Sequence, residues 1–407
     1  MDRRTALKLF ASLSACIALP PVFAAASKPR VTVIGAGIVG SSAAYYLSKA
    51  GADVTVIDQQ APASHSTLGT FAWLNASWAK QPKHYHYLNQ LGLSQWRALQ
   101  AELSIPIDWH GSIEWFESTQ RNQRLSEQIL EQERWGERSS MIHADAIREL
   151  EPNIVIDDAT VAAYAQNDGA VDPVQATKQL LDAAVQLGAK VHFPEAALNP
   201  VLRNERLIGV ETNLRTIPSD FVVIASGADP QLPEHFSGLP LPQRSTPGVI
   251  AFSEPTERIL HSVVAAPGVH LHQRADGVVV IGEQDGPPEG QAHTMRLQNR
   301  PNRFPNQSLA LQHGRQMLTR ASQYFPALQE LTLADVVIGW RPLPLDGHPV
   351  LGSSLKRPEV YIAVMHSGVC LGPLAGKIIA SELIYQKPVG GIEQFRPDRQ
   401  FASTVRY

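Results

Sequence analysis

Residues 30–47 read Arg-Val-Thr-Val-Ile-Gly-Ala-Gly-Ile-Val-Gly-Ser-Ser-Ala-Ala-Tyr-Tyr-Leu, an apolar β-branched run that meets three glycines and continues in small residues. Such a run forms a buried strand, and glycines at this spacing turn the chain tightly into a helix. Gly35 allows the turn, Gly37 lets the backbone approach a pyrophosphate, and Gly40 permits close packing of helix on strand. A phosphate then faces the helix N-terminus, whose free N–H groups favour an anion. The spacing therefore predicts a dinucleotide held by Gly35, Ala36, Gly37, Ile38, Val39 and Gly40. Gly51 reads as the end of the helix, and a second strand follows over residues 53–58. Asp58, with Gln59 beside it, lies about twenty residues beyond the glycines, where a carboxylate accepts from the adenosine ribose and repels a 2′-phosphate. NADP is thereby disfavoured, and FAD and NAD both remain open at this point.

The chain has 407 residues, 44% hydrophobic and 18% charged, enough for two domains with sizeable cores. A formal net charge of −3 gives no sign of a nucleic-acid or acidic-membrane partner, so a small molecule is the default ligand. At the N-terminus, Arg3 and Arg4 precede an apolar stretch, residues 6–26, that ends in small residues. That layout predicts a cleavable export signal over residues 1–26. The paired arginines resemble a twin-arginine signal, which sends folded, cofactor-loaded proteins to the periplasm. An uncleaved anchor is the weaker reading, because Lys8, Pro20 and Pro21 interrupt the stretch, and no integral membrane segment is expected after cleavage. The only cysteines are Cys16 and Cys370, so no thiolate zinc site is expected, and no metal site is predicted.

Three later segments decide the cofactor. Residues 64–70, Ser-His-Ser-Thr-Leu-Gly-Thr, offer the hydroxyls of Ser66, Thr67 and Thr70 shortly after Asp58. Asp168-Gly-Ala-Val-Asp172-Pro173 opens a helix with Asp172 as N-cap, and a strand at 221–227 ends in Ala225-Ser226-Gly227. Near the C-terminus come Gly339-Trp340-Arg341-Pro342, then residues 346–352, a strand at 360–364, and Met-His-Ser-Gly-Val-Cys-Leu-Gly-Pro over residues 365–373, opening a helix to about residue 383. Together these resemble the D-amino acid oxidase family of FAD-dependent oxidoreductases, which includes glycine oxidase and sarcosine oxidase. The resemblance implies an α/β fold, with a discontinuous Rossmann-like FAD-binding domain (residues 29–78, 149–229 and 334–395) and an α+β substrate domain on an antiparallel sheet (79–148 and 230–333). It implies that Ala225 and Gly227 lie close to the dinucleotide. Backbone donors of Gly368, Val369, Cys370 and Leu371 are expected at the flavin N1 and C2 carbonyl, where a helix N-terminus stabilises the charge that appears on reduction. Sarcosine oxidase relatives carry a cysteine after the matching arginine segment; around Leu343 there is none, so FAD should be noncovalent.

The expected chemistry is oxidation of an amino acid or secondary amine, with oxygen or a quinone or other electron carrier as final acceptor. Such a reaction needs an α-hydrogen near flavin N5, a neutral nitrogen and, for an amino acid, a fixed carboxylate. Arg341 is the first candidate to hold that carboxylate, because a guanidinium binds it with two hydrogen bonds. His366 sits beside the presumed flavin contact and could tune its charge or accept a proton. His270 and His272 share one strand face by the two-residue period, and His270 is the predicted pocket residue. Trp73, Asn75 and Trp340 are further candidates for the cavity wall. Ser367 is a departure, since relatives in the glycine oxidase group carry a larger polar or basic residue nearby. A catalytically silent FAD-binding protein is the reading outside enzymes.

Overall fold

The computed structural model describes residues 28–77, 80–284 and 300–402, so the predicted export signal lies outside the described residues. Among the described residues no helix is long and apolar enough to cross a membrane.

Six strands form the first sheet, in the order Val350–Ser353, Val360–Val364, Phe221–Ile224, Arg30–Ile34, Asp53–Ile57, Lys190–His192. All pairs are parallel except the edge pair Val350–Ser353 with Val360–Val364. Strands buried on both sides need apolar residues on both faces. Val31, Val33, Val54, Val56 and Val223 turn to the side packed by helices Ile38–Lys49, Pro173–Gln186 and Gly368–Leu383. Ile34, Ile57, Val222 and Ile224 turn to the other side, against Leu207, Val210 and Ile217 of a small antiparallel sheet. Asp172 caps Pro173–Gln186 as expected, its carboxylate accepting from the N–H groups of Val174 and Gln175.

The second large sheet has eight strands, ordered Leu333–Pro344, Gln243–Ser253, Val279–Glu283, Val269–Gln273, Val263–Ala266, Ser112–Glu114, Val161–Ala165, Ser139–His143. Its pairs are antiparallel except Val263–Ala266 with Ser112–Glu114. Val269–Gln273 and Val279–Glu283 form a hairpin around residues 275–277, with His270 opposite Gly282 and His272 opposite Val280. Alternation divides the sheet into two faces. Ile113, Ala251, Val264, Leu271, Ile281 and Val336 pack under helix Gln307–Tyr324. The opposite face holds Ile250, Val280 and Val337, covered by Leu68 and Phe71 of the loop that follows Asp58.

Two strands join this sheet from segments expected on the nucleotide side. Val161–Ala165 pairs with both Ser112–Glu114 and Ser139–His143, and Leu333–Pro344 pairs with Gln243–Ser253 from Gln243 opposite Pro344 to Ser253 opposite Leu333. The long ladder outweighs proximity in sequence to the flavin-type C-terminal segment. A third, small sheet of Trp73–Leu74, Gly169–Val171 and Ile107–Asp108 connects the two.

Candidate active site

The glycine turn has the geometry of a dinucleotide cradle. Gly35 adopts φ +109°, and a Cβ there would meet the Ala225 carbonyl oxygen at under 3.0 Å. Gly37 occupies the N-cap of Ile38–Lys49 without a capping side chain, and Thr67 Oγ1 reaches across to accept the Ile38 N–H at 3.1 Å. Asp58 accepts from Ala36 N–H at 2.7 Å through one oxygen and from Gln60 N–H at 2.9 Å through the other. Each carboxylate oxygen keeps a second lone pair for a ribose hydroxyl. Gln59 is exposed. Ser66 donates to the Trp340 carbonyl at 2.7 Å, and Thr70 accepts the Ala72 N–H at 3.3 Å, so these hydroxyls also shape the loop itself. Gly227, at φ +59°, lies next to Ser66, which brings the end of the strand Phe221–Ile224 to the same loop.

The second helix N-terminus opens beside the first. Gly372 packs at Ile38 and Gly376 at Ser42, so helix Gly368–Leu383 runs against Ile38–Lys49 from its start. Its N-cap, Ser367, uses no side-chain cap, and its carbonyl already accepts the Leu371 N–H at 2.9 Å. Leu371 is thus committed to the first helical turn, which leaves the N–H groups of Gly368, Val369 and Cys370 as the helix-end donors. This narrows the expected set of four. Two anion-favouring helix ends and a glycine-lined turn at one end of a parallel sheet fit an extended dinucleotide.

The Cys370 side chain is a fastener. Its thiol donates to the Trp73 carbonyl at 3.2 Å and accepts the Asn75 N–H at 3.4 Å, and burial pushes its pKa up. Gly92 abuts the Cys370 carbonyl, and Trp96 Nε1 donates to the Val369 carbonyl at 2.7 Å. Ser367 is buried and receives a hydrogen bond from Lys80 Nζ at 2.8 Å, while its Oγ lies 2.6 Å from the Tyr85 hydroxyl. His366 precedes it and is half-buried.

The sheet face toward the loop carries the other candidates. Arg341 lies on the face of Gly248, Ile250 and Val337, and a Cβ on Gly248 would be 2.8 Å from Arg341 Nη2. Glycine at 248 is what lets the guanidinium lie flat on the sheet. On the same face the His270 ring meets Phe71 at 5.4 Å and Trp73 at 6.1 Å, centroid to centroid. His272 Nε2 lies 2.9 Å from the Phe71 carbonyl, and burial pushes its pKa down to about 4, so the ring is neutral and Nε2–H is the donor. Trp340 falls on the opposite face by the two-residue period. It packs with Ala228 and Ile338, and its Nε1 donates to the Pro301 carbonyl at 2.9 Å, so it does not wall the cavity with Arg341.

Three groups escaped the sequence reading. Asp168 is buried and accepts from Trp73 Nε1 at 3.1 Å, Ala76 N–H at 3.3 Å and the Ser77 and Ser112 hydroxyls at 2.7 Å each. Burial pushes its carboxyl up to about 7, against the hydrogen bonds that favour the anion. Glu114 shares a face with Ser112, is fully buried, and burial holds it well above the usual carboxylate range. A carboxylate in an alternating apolar strand was the available signal. Lys80 is the third, a lysine only 8% exposed.

A family described as DAO, FAD dependent oxidoreductase, matches residues 30–382. One of the opine oxidase subunits of Agrobacterium tumefaciens (strain Ach5) is 23% identical over 366 residues, 87% of this chain and 92% of that protein. Glycine oxidase of Bacillus licheniformis is 24% identical over 387 residues, 91% of this chain and 97% of that protein. Two further curated relatives are longer, and the chain spans 42% and 56% of their lengths. Among solved structures, L-proline dehydrogenase from P. horikoshii superposes with a TM-score of 0.79 at 21% identity, covering 91% of this chain and 97% of that one, which shows a shared fold. The match begins at the strand before the glycine turn and ends within one residue of the C-terminal helix end, and the chain belongs to the DAO family of FAD-dependent oxidoreductases.

Proposed function

We propose that the protein oxidises the C–N bond of an amino acid or secondary amine. The observation that carries this reading is Arg341, laid over Gly248 on the sheet face shared with His270 and Phe71. Bound FAD supplies a two-electron acceptor for hydride from the α-carbon. Gly35 to Gly40, Asp58 and Gly227 would hold its nucleotide, and the N–H groups of Gly368, Val369 and Cys370 its ring end. Arg341 binds the substrate carboxylate with two hydrogen bonds and so fixes the α-carbon. Phe71, Trp73 and His270 wall the amine and exclude water. His366 is the candidate proton acceptor, since the amine must be neutral to react. The amine loses a hydride from carbon and a proton from nitrogen, and water then converts the imine to a carbonyl compound and a shorter amine or ammonia.

Anaerobic mixing with a panel of D-amino acids, L-proline, glycine, sarcosine and other secondary amines tests this directly. Bleaching of the flavin absorbance by at least one of them is the expected result, and a panel that bleaches nothing overturns it. Return of colour in air marks oxygen as the acceptor, whereas return only with a quinone marks a dehydrogenase. We further propose export by the twin-arginine route, for which residues 1–26 are the basis. Replacing Arg3 and Arg4 together with lysine should then abolish periplasmic recovery.

A further inference from the structure

FAD brings a doubly negative pyrophosphate to a cradle that already carries the Asp58 carboxylate. Between residues 30 and 70 the only lysine and arginine side chains are Arg30 and Lys49. Arg30 opens its strand, at the end remote from the glycine turn, and pairs with Asp220; Lys49 ends its helix and pairs with Glu102. The strand end at residues 221–229 adds Asp229 and no lysine or arginine. These segments therefore set only the partial charge of a helix N-terminus against the phosphates.

Arg300 brings a full positive charge from outside them. Its Nη1 donates to the carbonyl of Ala228, the residue after Gly227, and Gly227 abuts Ser66 of the cradle loop. The next residue of that loop, Thr67, accepts the Ile38 N–H at the start of the helix. His65 feels both charged groups: burial pushes its ring below the ordinary value, Asp58 raises it and Arg300 lowers it. A guanidinium has five N–H donors, and Ala228 takes one. The carboxylate paired with Arg300, Asp229, lies 4.0 Å away, and the same oxygen accepts the Gln231 N–H at 2.9 Å.

The two residues that follow fix the arginine in place. The Pro301 carbonyl accepts from Trp340 Nε1 at 2.9 Å, and the Asn302 carbonyl accepts the Ile338 N–H at 3.1 Å. Asn302 Nδ2 donates to the Ser64 carbonyl at 2.8 Å. Three consecutive residues thus touch the strand of Arg341, the cradle loop and the end of the strand Phe221–Ile224.

We propose that residues 300–302 form a strap across the nucleotide cradle, in which Arg300 binds the FAD pyrophosphate and Asn302 holds the arginine in position. A guanidinium suits this task because its planar fork matches phosphate oxygens in pairs. The inference stands on FAD binding alone, so a protein that oxidises no amine would leave it untouched.

Retention of FAD tests it without turnover. FAD-loaded protein is diluted in steps, and the dissociation constant is read from the fluorescence of released flavin. The series is run at about 0.05 M and about 0.5 M salt, because salt screens a charge contact and not a packing one. Arg300→Gln keeps a donor for the Ala228 carbonyl and removes the charge. At the lower salt it should bind FAD at least about tenfold more weakly than the parent, the loss expected of one charge-assisted hydrogen bond. At the higher salt the gap should shrink to about threefold or less. Arg300→Lys should stay within about threefold of the parent at both. Asn302→Ala should show a smaller loss with the same salt sensitivity, and it should add nothing in the double variant with Arg300→Gln, since it acts through the arginine. Arg303→Met removes an exposed cation paired with Asp335 three residues along, and it should leave FAD affinity unchanged. An Arg300→Gln protein that holds FAD as tightly as the parent overturns the proposal. A loss of the same size at both salts assigns the arginine to packing and overturns it as well. So do additive losses in the double variant, or an Arg303→Met loss equal to that of Arg300→Gln, which would reflect net charge alone.

Discussion

Gly69 and Gly339 meet backbone to backbone: a Cβ on Gly69 would lie under 3.0 Å from Gly339 Cα, and one on Gly339 would lie under 3.0 Å from the Gly69 carbonyl oxygen. At this crossing the loop from the nucleotide side passes over strand Leu333–Pro344, two residues before Arg341. Ser66 fastens the same crossing through the Trp340 carbonyl. The position of the cradle loop relative to Arg341 is thus set by two main chains in direct contact.

Gly339→Ala should therefore separate the loop from the strand. Overpacking of this kind costs about 1–3 kcal/mol. The expected result is a lower Tm together with a lower ratio of flavin to protein absorbance. Gly390→Ala, whose new methyl would find only the Glu393 carboxylate at 4.0 Å, should change neither. Full flavin content and an unchanged Tm in Gly339→Ala would show that the crossing is not needed.

Arg341→Ala should lower kcat/KM at least tenfold with an amino acid that reduces the flavin, since a charge-assisted hydrogen bond contributes about 1.5–3 kcal/mol. Arg341→Lys should recover only part of this, because an ammonium lacks the planar two-point fork. With an amine that has no carboxylate the two variants should match the parent. Steady-state kinetics on the paired substrates decides it, and equal losses on both would place Arg341 in a structural role.

The parts of this architecture that depend on local sequence were legible. Gly35, Gly37 and Gly40 and the cap at Asp172 each follow from a steric or capping rule acting within a few residues. Pairing of distant strands was less so. Val161–Ala165 and Leu333–Pro344 join the eight-stranded sheet because of partners remote in sequence, Glu114 and Ser112 for one and residues 243–253 for the other. Trp340 was misjudged for a related reason: next to Arg341 in sequence, it must point the other way once both lie on a strand. Asp168 and Lys80 carried no local signal, since their roles come from Trp73, Ser77, Ser112 and Ser367, contributed by separate segments.

Asp168 should make folding stability fall as pH rises. Its carboxyl titrates near 3.8 when exposed and at about 7 when buried, so the folded protein holds a proton that the unfolded chain has released. The stabilisation from this group is complete below about pH 4 and is lost as the pH rises through about 7, a change on the order of 4 kcal/mol. Asp168→Asn still offers a carbonyl to the donors from Trp73, Ser77 and Ser112 and cannot ionise. Its stability relative to the parent should climb between pH 4 and 7 and level off above. Denaturant melts at a series of pH values measure the difference, and one that is flat with pH would mean that Asp168 is ionised throughout.

His272 should act in the opposite sense. Burial lowers its pKa from 6.5 to about 4, so below pH 6.5 the unfolded chain takes up a proton that the folded protein refuses. Its contribution is present above pH 6.5 and is lost as the pH falls through about 4, on the order of 3 kcal/mol in full. The only donor the ring needs is Nε2–H to the Phe71 carbonyl at 2.9 Å, and the buried Nδ1 has no hydrogen-bond partner among the described residues. A glutamine can place its Nε2 near the same carbonyl without a titrating group. His272→Gln should therefore equal or slightly trail the parent at pH 8 and exceed it at pH 5. It should also retain flavin across that range, because the Phe71 carbonyl keeps its donor and the loop keeps its place. A variant that loses stability equally at pH 5 and pH 8 would show that the imidazole is needed for its shape alone and that its proton has no part in acid sensitivity.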